Sequence, residues 1–444
     1  MRLRPIADGS ARTGRRGRTP RALLVRAVAL AGAALLASTI AVGAPTSARA
    51  DYLRDFQYWL DDYGISEAWQ TTRGAGQRVA VIDTGIADIP ELAGAVVGGT
   101  DVSGLGSPDG RTPVGEDDSH GTLVATMVAS RGEGGSDGMI GVAPDAELLS
   151  VSVAFGGSAP RTTEEQIADA VRWSVDNGAT VINMSLTTNT LTWPESWDDA
   201  FLYAFERDVV VVAAAGNRGA GTVEVGAPAT IPGVVAVAGV DRDGTASFDA
   251  SSQGITLAVA APSEELVGIT PDDTPVRWSG TSGAAPLVAG VVALIRAAHP
   301  ELDADDVIQR LIATARPVGD PVPGPIYGYG LVDAAAAVTA DVPAVESNPL
   351  AVPYDLAEWV RIYRRSEAAP EPTRSPVTDA GAAGPSAGPS DPLAAVPTWL
   401  REALPRTSFV ADAIVPVSVL LVFGLLIGGC AIGAVRAMRS SRAK

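Results

Sequence analysis

Two histidines limit where base-assisted chemistry can occur in this sequence. His120 lies in the motif DSHGT (118–122), at the entry to the apolar helical stretch 123–129. His299 directly precedes Pro300 at the end of a predicted helix, where an imidazole would serve the helix C-terminus. A serine hydroxyl becomes a nucleophile when a base takes its proton, a carboxylate orients the base and donors stabilise the oxyanion. His120 is therefore the candidate base.

Three further motifs offer the remaining groups. Asp83 follows the apolar stretch 79–82 in VAVIDTG, and open α/β sheets place their sites at the carboxyl edge of such strands. Ser282, in SGTSGAAP, begins an apolar helical stretch whose N-terminal amides would favour a developing negative charge. Asn217 ends AAAGN with a side-chain amide that could donate to an oxyanion. Each motif is weak alone, so the hypothesis depends on their occurrence together.

Two other interpretations of these acidic residues lead to different chemistry. DTG is also the motif of aspartic proteases, but those enzymes need two such carboxylates, and the sequence contains no second DTG or DSG. Asp117 and Asp118 could bind a metal, although an exposed acidic loop is the simpler interpretation. The sequence has a single cysteine, Cys430, which excludes an intramolecular disulfide and a CxxC metal site. No loop has convincing ligand spacing for calcium, so the sequence assigns no metal ligands and no cofactor and leaves calcium binding open.

The elements around these motifs alternate between short β-branched stretches and helical patterns. This alternation predicts a parallel sheet with helices on both faces, whose strands are apolar throughout because both faces are buried. The predicted strands are 79–82, 148–153, 181–184, 209–214 and 234–240. The predicted helices are 163–177 with a capping box formed by Thr163 and Gln166, 197–207, 283–298, and 304–315 capped by Asp303.

The motifs together resemble those of the subtilisin-like serine proteases, whose triad runs in the order Asp, His, Ser. The resemblance covers about 79–338 and includes VAVIDTG, HGTLVA, GVAP, VINMSL, AAAGN, GTSGAAPLVAG and GYGLVDAAAAV in family order. It implies that Asp83 orients His120, that His120 is the base and that Ser282 attacks. It also implies that Asn217 and the Ser282 amide bind the oxyanion. Ser185, Leu186 and Thr187 match the segment that pairs with the substrate backbone.

Within that family the chain is similar to the mycosins, membrane-anchored proteases associated with type VII secretion. The similarity rests on the N-terminal segment QYWL…SEAW (57–69), on GVAPDAELLSVSV, and on the order of signal, protease, proline-rich linker and C-terminal span. It implies a protein or peptide substrate and a type VII membrane complex as partner. One alternative function is that of a structural subunit of that complex, and another is that of a general quality-control protease at the cell surface. Two departures concern the site: Gly283 replaces a bulkier residue, and Thr187 replaces a common glycine.

The two ends of the chain predict export and anchoring. Residues 1–50 have a basic start, an apolar middle and Ala48-Arg49-Ala50 at the end, which is typical of a secretory signal peptide. Residues 409–435 include an unbroken stretch of 23 uncharged residues, 413–435, and the basic tail 436–444 follows, which predicts a transmembrane helix with a cytoplasmic tail. Between them we expect an N-terminal extension (51–78), a subtilisin-like three-layer α/β protease domain (79–343) and a Pro/Ala/Gly-rich linker (344–408).

The charge distribution excludes nucleic acid as a partner. The formal net charge is −18, with +8 in residues 1–50 and +4 in residues 436–444, so residues 51–435 carry −30. Nucleic-acid phosphates would repel so acidic a body. We therefore expect a protein or peptide substrate outside the cytoplasm.

Overall fold

A seven-stranded parallel sheet forms the centre of the protein in this computed structural model, which describes residues 4–5, 53–133, 137–155 and 159–367. Its strand order is β10-β9-β8-β7-β2-β6-β3. In chain order the strands are β1 (Arg4–Pro5), β2 (Arg78–Asp83), β3 (Val96–Asp101), β4 (Arg131–Glu133), β5 (Asp137–Ile140), β6 (Glu147–Ser152), β7 (Val181–Met184), β8 (Val210–Ala214), β9 (Val235–Val240), β10 (Leu257–Pro262), β11 (Leu266–Ile269) and β12 (Pro275–Trp278).

The five predicted strands are all present and are neighbours in this sheet, as β2, β6, β7, β8 and β9. Their side chains are almost entirely buried, which explains why they lack alternation of polar and apolar residues. The edge strands β3 and β10 were not predicted. β3 is interrupted by Gly98 and Gly99, and β10 is rich in alanine, and both residue types are depleted in strands. A Cβ on Gly99 would overlap the Asp109 carbonyl oxygen, which accounts for glycine there.

Two pairs of helices cover the sheet. The helices are α1 (Trp59–Asp62), α2 (Ile65–Ala68), α3 (His120–Ala129), α4 (Thr163–Asp176), α5 (Glu195–Phe205), α6 (Thr281–Ala298), α7 (Ala304–Ala313), α8 (Ala334–Thr339) and α9 (Leu356–Glu367). α3 packs against α6, and α4 packs against α5, while the strands between the pairs are buried on both faces. The three-layer α/β architecture predicted from the sequence is therefore confirmed.

The capping box predicted for α4 was wrong by one residue. Thr162 is the N-cap: its hydroxyl accepts from the Glu165 amide, and the Glu165 carboxylate accepts from the Thr162 amide. Gln166 lies one position beyond the box and is buried, with its amide group bonded to both backbone groups of Ala154. The Gln166 side chain therefore hydrogen-bonds to buried backbone and does not cap the helix. The Asp303 cap of α7 is confirmed, since its carboxylate accepts from the Asp306 amide.

α6 is the one helix among the described residues that is long and apolar enough to cross a membrane, and most of it is buried inside the domain. It is a core helix that packs against five strands of the sheet. The span predicted at 409–435 lies outside the described residues, as do nearly all of the predicted signal peptide and most of the linker.

The folded part of the chain extends beyond residue 343, where the sequence analysis places the end of the protease domain. α9 packs on α5 through a buried ion pair: Arg364 Nε lies 2.8 Å from Asp198 Oδ2, and the two side chains are 16% and 5% exposed. Trp193 completes this contact, because its indole N–H donates to Asp198 and its carbonyl accepts from Arg364. Trp359 stacks on Trp193 with 4.4 Å between the ring centroids.

Replacing Arg364 with alanine should lower the free energy of unfolding by about 3 kcal/mol, because it leaves the Asp198 carboxylate buried without its charged partner. Arg361→Ala, one turn earlier in α9, is the matched control. Its pair with Glu358 is exposed and contributes only about 0.3–0.5 kcal/mol. Denaturant titration of the full-length protein in detergent, followed by tryptophan fluorescence, measures both variants. Equal losses in the two would show that the buried pair does not stabilise the docking of α9.

Candidate active site

Asp83 and His120 meet at the carboxyl edge of the sheet. Asp83 is the last residue of β2 and is 1% exposed, and His120 is the first residue of α3. His120 Nδ1 lies 2.8 Å from Asp83 Oδ1 and 2.9 Å from Oδ2. The Thr84 amide also donates to Asp83 Oδ1, at 2.7 Å. The carboxylate is thus held from two sides and can orient the imidazole.

The DTG and HGT motifs hold each other in place. Thr84 Oγ1 accepts from the Gly121 amide at 2.9 Å and donates to the Asp118 carbonyl at 3.3 Å. A Cβ on Gly121 would overlap the Gly85 carbonyl oxygen, so the end of β2 can approach the start of α3 this closely only with glycine. This close approach brings the Asp83 carboxylate within hydrogen-bonding distance of the His120 ring.

The environment of His120 contains opposing influences on its protonation. Burial alone would lower the pKa of the imidazole, because it penalises the charged form. The Asp83 carboxylate, through its charge and its hydrogen bond, and the Asp117 carboxylate, through its charge, outweigh burial and raise the pKa of His120 above 6.5. The charged imidazolium form of His120 is therefore stabilised, which is the form that a general base takes once it has accepted a proton.

Ser282 is the second residue of α6 and is half-buried. Its hydroxyl donates to the Ser185 carbonyl at 3.2 Å, and the Ser185 hydroxyl donates to the Ser282 carbonyl at 2.8 Å. Ser185 also lines a cleft of about 220 Å³ together with His120. The structure thus brings all three predicted residues to one edge of the sheet, with the serine hydroxyl bonded to the backbone that follows β7.

Asn217 follows β8 at the same edge, and its side chain has a defined orientation. The amide and hydroxyl of Thr281 both donate to Asn217 Oδ1, at 2.8 and 3.0 Å. Since a backbone amide can only donate, the oxygen must face Thr281 and the Nδ2 amino group must face away from it. Gly280 permits this packing: its φ is 146°, and a Cβ there would lie 3.2 Å from Asn217 Nδ2.

Trp278 belongs to the site, although sequence reasoning missed it. Its ring is 2% exposed and lies edge-on to His120, with 6.0 Å between the ring centroids and 80° between the planes. It also borders the glycine after Ser282: a Cβ on Gly283 would overlap Leu266 and lie 3.2 Å from Trp278 Cη2. Leu266 and Trp278 together fill the volume that a bulkier residue at 283 would need. A large aromatic residue four positions before Ser282 was the available signal.

The predicted substrate-facing residues line the cleft beside His120, namely Ser185, Leu186 and Thr187. They extend β7 beyond the sheet. Asn183 lies within β7, is fully buried and donates through Nδ2 to Ser185 Oγ at 3.0 Å. It therefore positions the start of this segment.

The remaining candidates lie apart from this cluster or on its rim. His299 is at the end of α6, where its ring lies 2.7 Å from the Val338 carbonyl and 2.9 Å from Arg310, so it links α6 to neighbouring backbone. Asp117 and Asp118 are exposed. Within the described residues, no three His, Cys, Asp or Glu side chains converge as metal ligands.

Comparison with known proteins decides the family. The family model described as the subtilase family, peptidase S8, matches residues 74–330, which is more than half of the chain. The chain belongs to the subtilase family. This subtilase is accordingly a serine endopeptidase with the subtilisin-like α/β fold.

Its relatives include mycosins and secreted subtilisins. Mycosin-4 of Mycobacterium tuberculosis is 37% identical over 356 residues, covering 70% of this chain and 75% of mycosin-4. Subtilisin DY of Bacillus licheniformis is also 37% identical, over 60% of this chain and 93% of its own. The crystal structure of MycP1 from the ESX-1 type VII secretion system aligns with a TM-score of 0.57 at 30% identity, covering 66% of this chain and 88% of that one.

The charge of Asp117 should be visible in the pH dependence of this subtilase. A base must be neutral to accept a proton, so if His120 is the base, kcat/KM should fall as the pH drops through its pKa. Because Asp117 raises that pKa, Asp117→Asn should lower it and move the acid limb of the kcat/KM profile to lower pH. The shift should be smaller at ~1 M salt than at ~0.1 M, since Asp117 is exposed and salt screens it.

Asp118→Asn is the matched control for this profile. Asp118 is the neighbouring exposed carboxylate, and its backbone carbonyl accepts from Thr84. We expect this variant to leave the acid limb in place. A shift to higher pH in Asp117→Asn, or the same shift in both variants, would contradict the assignment of the charge effect to Asp117.

Proposed function

We propose that Asp83, His120 and Ser282 form the catalytic triad of a membrane-anchored, extracytoplasmic serine endopeptidase. The observation that carries this proposal is the pair of short contacts between the Asp83 carboxylate and His120 Nδ1, at the same sheet edge as the hydroxyl of Ser282. A carboxylate at Nδ1 leaves Nε2 as the basic nitrogen, which is the tautomer that a serine nucleophile requires. The buried Asp83 also stabilises the imidazolium once it forms.

In the proposed reaction the Ser282 hydroxyl leaves the Ser185 carbonyl, gives its proton to His120 Nε2, and its oxygen attacks the substrate carbonyl carbon. The resulting oxyanion accepts hydrogen bonds from Asn217 Nδ2 and from the Ser282 amide at the start of α6. His120 then gives the proton to the departing amine as the peptide bond breaks, leaving an ester on Ser282. A water molecule, deprotonated by His120, hydrolyses that ester and restores the serine.

Ser185, Leu186 and Thr187 are proposed to hold the substrate as an added strand. They continue β7 past the sheet edge, beside the nucleophile, and line the cleft that contains His120. An extended peptide laid along this segment would gain backbone hydrogen bonds, with its alternate side chains directed into pockets. Such binding suits cleavage within an unfolded stretch of a protein.

The proposed organisation is a signal peptide (1–50), an N-terminal extension (51–78), a protease domain (79–343) on which α9 docks, a linker in the part of 344–408 that follows α9, a transmembrane helix (409–435) and a cytoplasmic tail (436–444). The support for the anchor is the uncharged stretch 413–435 followed by four basic residues. Tethering would raise the effective concentration of the protease near membrane-proximal substrates. Similarity to mycosin-4 and to MycP1 from a type VII secretion system supports a place beside such a system.

The proposed topology can be tested with single cysteines introduced into a Cys430→Ala background, which is otherwise cysteine-free. In intact cells whose outer layers admit the reagent, a membrane-impermeant maleimide should label Thr190→Cys, an exposed position of the protease domain. Ser441→Cys in the tail should react only after the membrane is permeabilised. Labelling of both positions in intact cells would refute a cytoplasmic tail, and release of the protein by carbonate washing would refute the membrane anchor.

A further inference from the structure

The crevice beside the nucleophile is formed by the ends of two neighbouring strands. β7 and β8 are adjacent and parallel, with Met184 paired to Ala213, so residues 185–188 and 214–217 leave the sheet side by side. Ser282 contacts the first segment, and Asn217 ends the second. In the proposed reaction the scissile carbonyl lies between Ser282 and Asn217, so the gap between these segments is the space beside the side chain of the same residue.

The floor of this gap is closed by a third segment. The Thr188 amide donates to the Ala227 carbonyl at 2.7 Å, and the Ala227 amide donates to the Thr190 carbonyl at 2.9 Å. These bonds draw residues 226–227 across the end of the crevice. A Cβ on Gly226 would overlap the Thr188 carbonyl and lie 2.5 Å from Thr187 Oγ1. Gly226, on the floor of the gap, is therefore packed directly against the Thr187 side chain, which forms a wall of the gap.

Thr187 supplies that wall, and its side chain is fixed. Its hydroxyl donates to the Thr188 carbonyl at 2.9 Å, and the side chain is half-buried. A β-branched residue has few accessible χ1 rotamers, so the methyl and hydroxyl groups cannot easily turn out of the crevice together. A large side chain from a substrate would therefore meet Thr187 before it reached Gly226.

We infer that Thr187 is a specificity-determining residue that limits the position before the scissile bond to small side chains such as alanine or serine. The inference rests on the proposed function, because it places the scissile carbonyl at Ser282. The size limit depends on the threonine side chain, because a glycine at 187 would leave the space above Gly226 open. The substrate class that follows is an extended peptide with a small residue on the carbonyl side of the cleaved bond.

The test compares two peptide p-nitroanilides that differ only in the residue before the anilide, alanine or phenylalanine, using full-length protein in detergent. Wild type should show the higher kcat/KM with alanine. Thr187→Gly should raise the ratio of kcat/KM for phenylalanine to that for alanine by roughly 10- to 100-fold, the effect expected when a pocket gains space for a few carbon atoms.

Two matched variants separate size from other effects. Thr187→Val fills the same volume without the hydroxyl and should keep the wild-type ratio, whereas Thr192→Gly makes the same truncation at an exposed position of the same loop and should also keep it. Labelling by a fluorophosphonate, abolished in Ser282→Ala, reports the nucleophile independently. Normal labelling with a wild-type preference for phenylalanine, or with an unchanged ratio in Thr187→Gly, overturns this inference alone. Absent labelling of wild type overturns the proposed function and the inference with it.

Discussion

Ser282→Ala should reduce kcat for peptide hydrolysis on the order of 10⁶-fold, the loss expected when the nucleophile of a subtilisin-type triad is removed. The covalent route then no longer exists, and His120 has no hydroxyl to activate. Residual turnover should still exceed the uncatalysed reaction by about 10³- to 10⁴-fold, because Asn217 and the substrate-binding segment remain. Single-turnover kinetics with a peptide anilide, at enzyme concentrations above those of the substrate, measure a loss of this size.

The fold should tolerate this change. The Ser282 hydroxyl makes one hydrogen bond, to the Ser185 carbonyl, and the reciprocal bond from Ser185 uses the Ser282 backbone, which alanine keeps. Thermal unfolding should therefore match wild type. Ser279→Ala, an exposed serine three residues earlier, is the control and should keep most of the activity. Cleavage by Ser282→Ala at the wild-type rate would refute Ser282 as the nucleophile.

The same variant separates enzymatic from structural roles in secretion. If deletion of the gene abolishes type VII secretion and Ser282→Ala restores it, the protein acts there as a structural subunit. If Ser282→Ala behaves like the deletion, proteolysis itself is required. The two outcomes distinguish the hypotheses because the variant should keep its fold and its surface.

The sheet and the positions of the site residues could be predicted because they depend on local patterns. Asp83, Ser185 and Asn217 each follow an apolar strand, and parallel strands end at one edge, so their proximity follows from topology. Ser282 could be placed because an apolar helix begins there. The Asp303 cap was predictable for a similar reason, since its partner is three residues away.

What could not be predicted depends on contacts between distant parts of the chain. Trp278 packs on His120 across more than 150 positions, and its place four residues before Ser282 does not by itself specify that contact. The Thr187 wall depends on Gly226, which approaches it only after the loop between them folds back. The docking of α9 depends on Asp198, whose burial is set by Trp193 and Arg364 together. The capping box was misassigned because both Glu165 and Gln166 could serve as its partner, and tertiary burial decided between them.

Asp83→Asn should reduce kcat about 10⁴-fold near neutral pH while leaving the geometry of the site nearly unchanged. The reason is the proton on the imidazole. The Thr84 amide donates to Asp83 Oδ1, so an asparagine would keep its oxygen there and place its amino group at the Oδ2 position, 2.9 Å from His120 Nδ1. A proton on Nδ1 would then face the protons of this amino group, and its remaining acceptor would be Oδ1, at 2.8 Å, which already accepts from Thr84. The tautomer with the proton on Nε2 is therefore favoured. Nε2 can then no longer take the proton of Ser282.

Nitrogen-15 NMR of histidine-labelled protein can test this tautomer argument directly, because His299 provides the single other histidine as an internal reference. Wild type should carry the proton on Nδ1 of His120, and Asp83→Asn should carry it on Nε2. Loss of the carboxylate also removes the charge and hydrogen bond that raise the pKa of His120, so its protonation should move to lower pH. Asp88→Asn, which alters an exposed carboxylate paired with Arg111, should change neither signal. If Asp83→Asn lost activity while the proton stayed on Nδ1, Asp83 would act through charge alone, because the orientation of the base would then be intact.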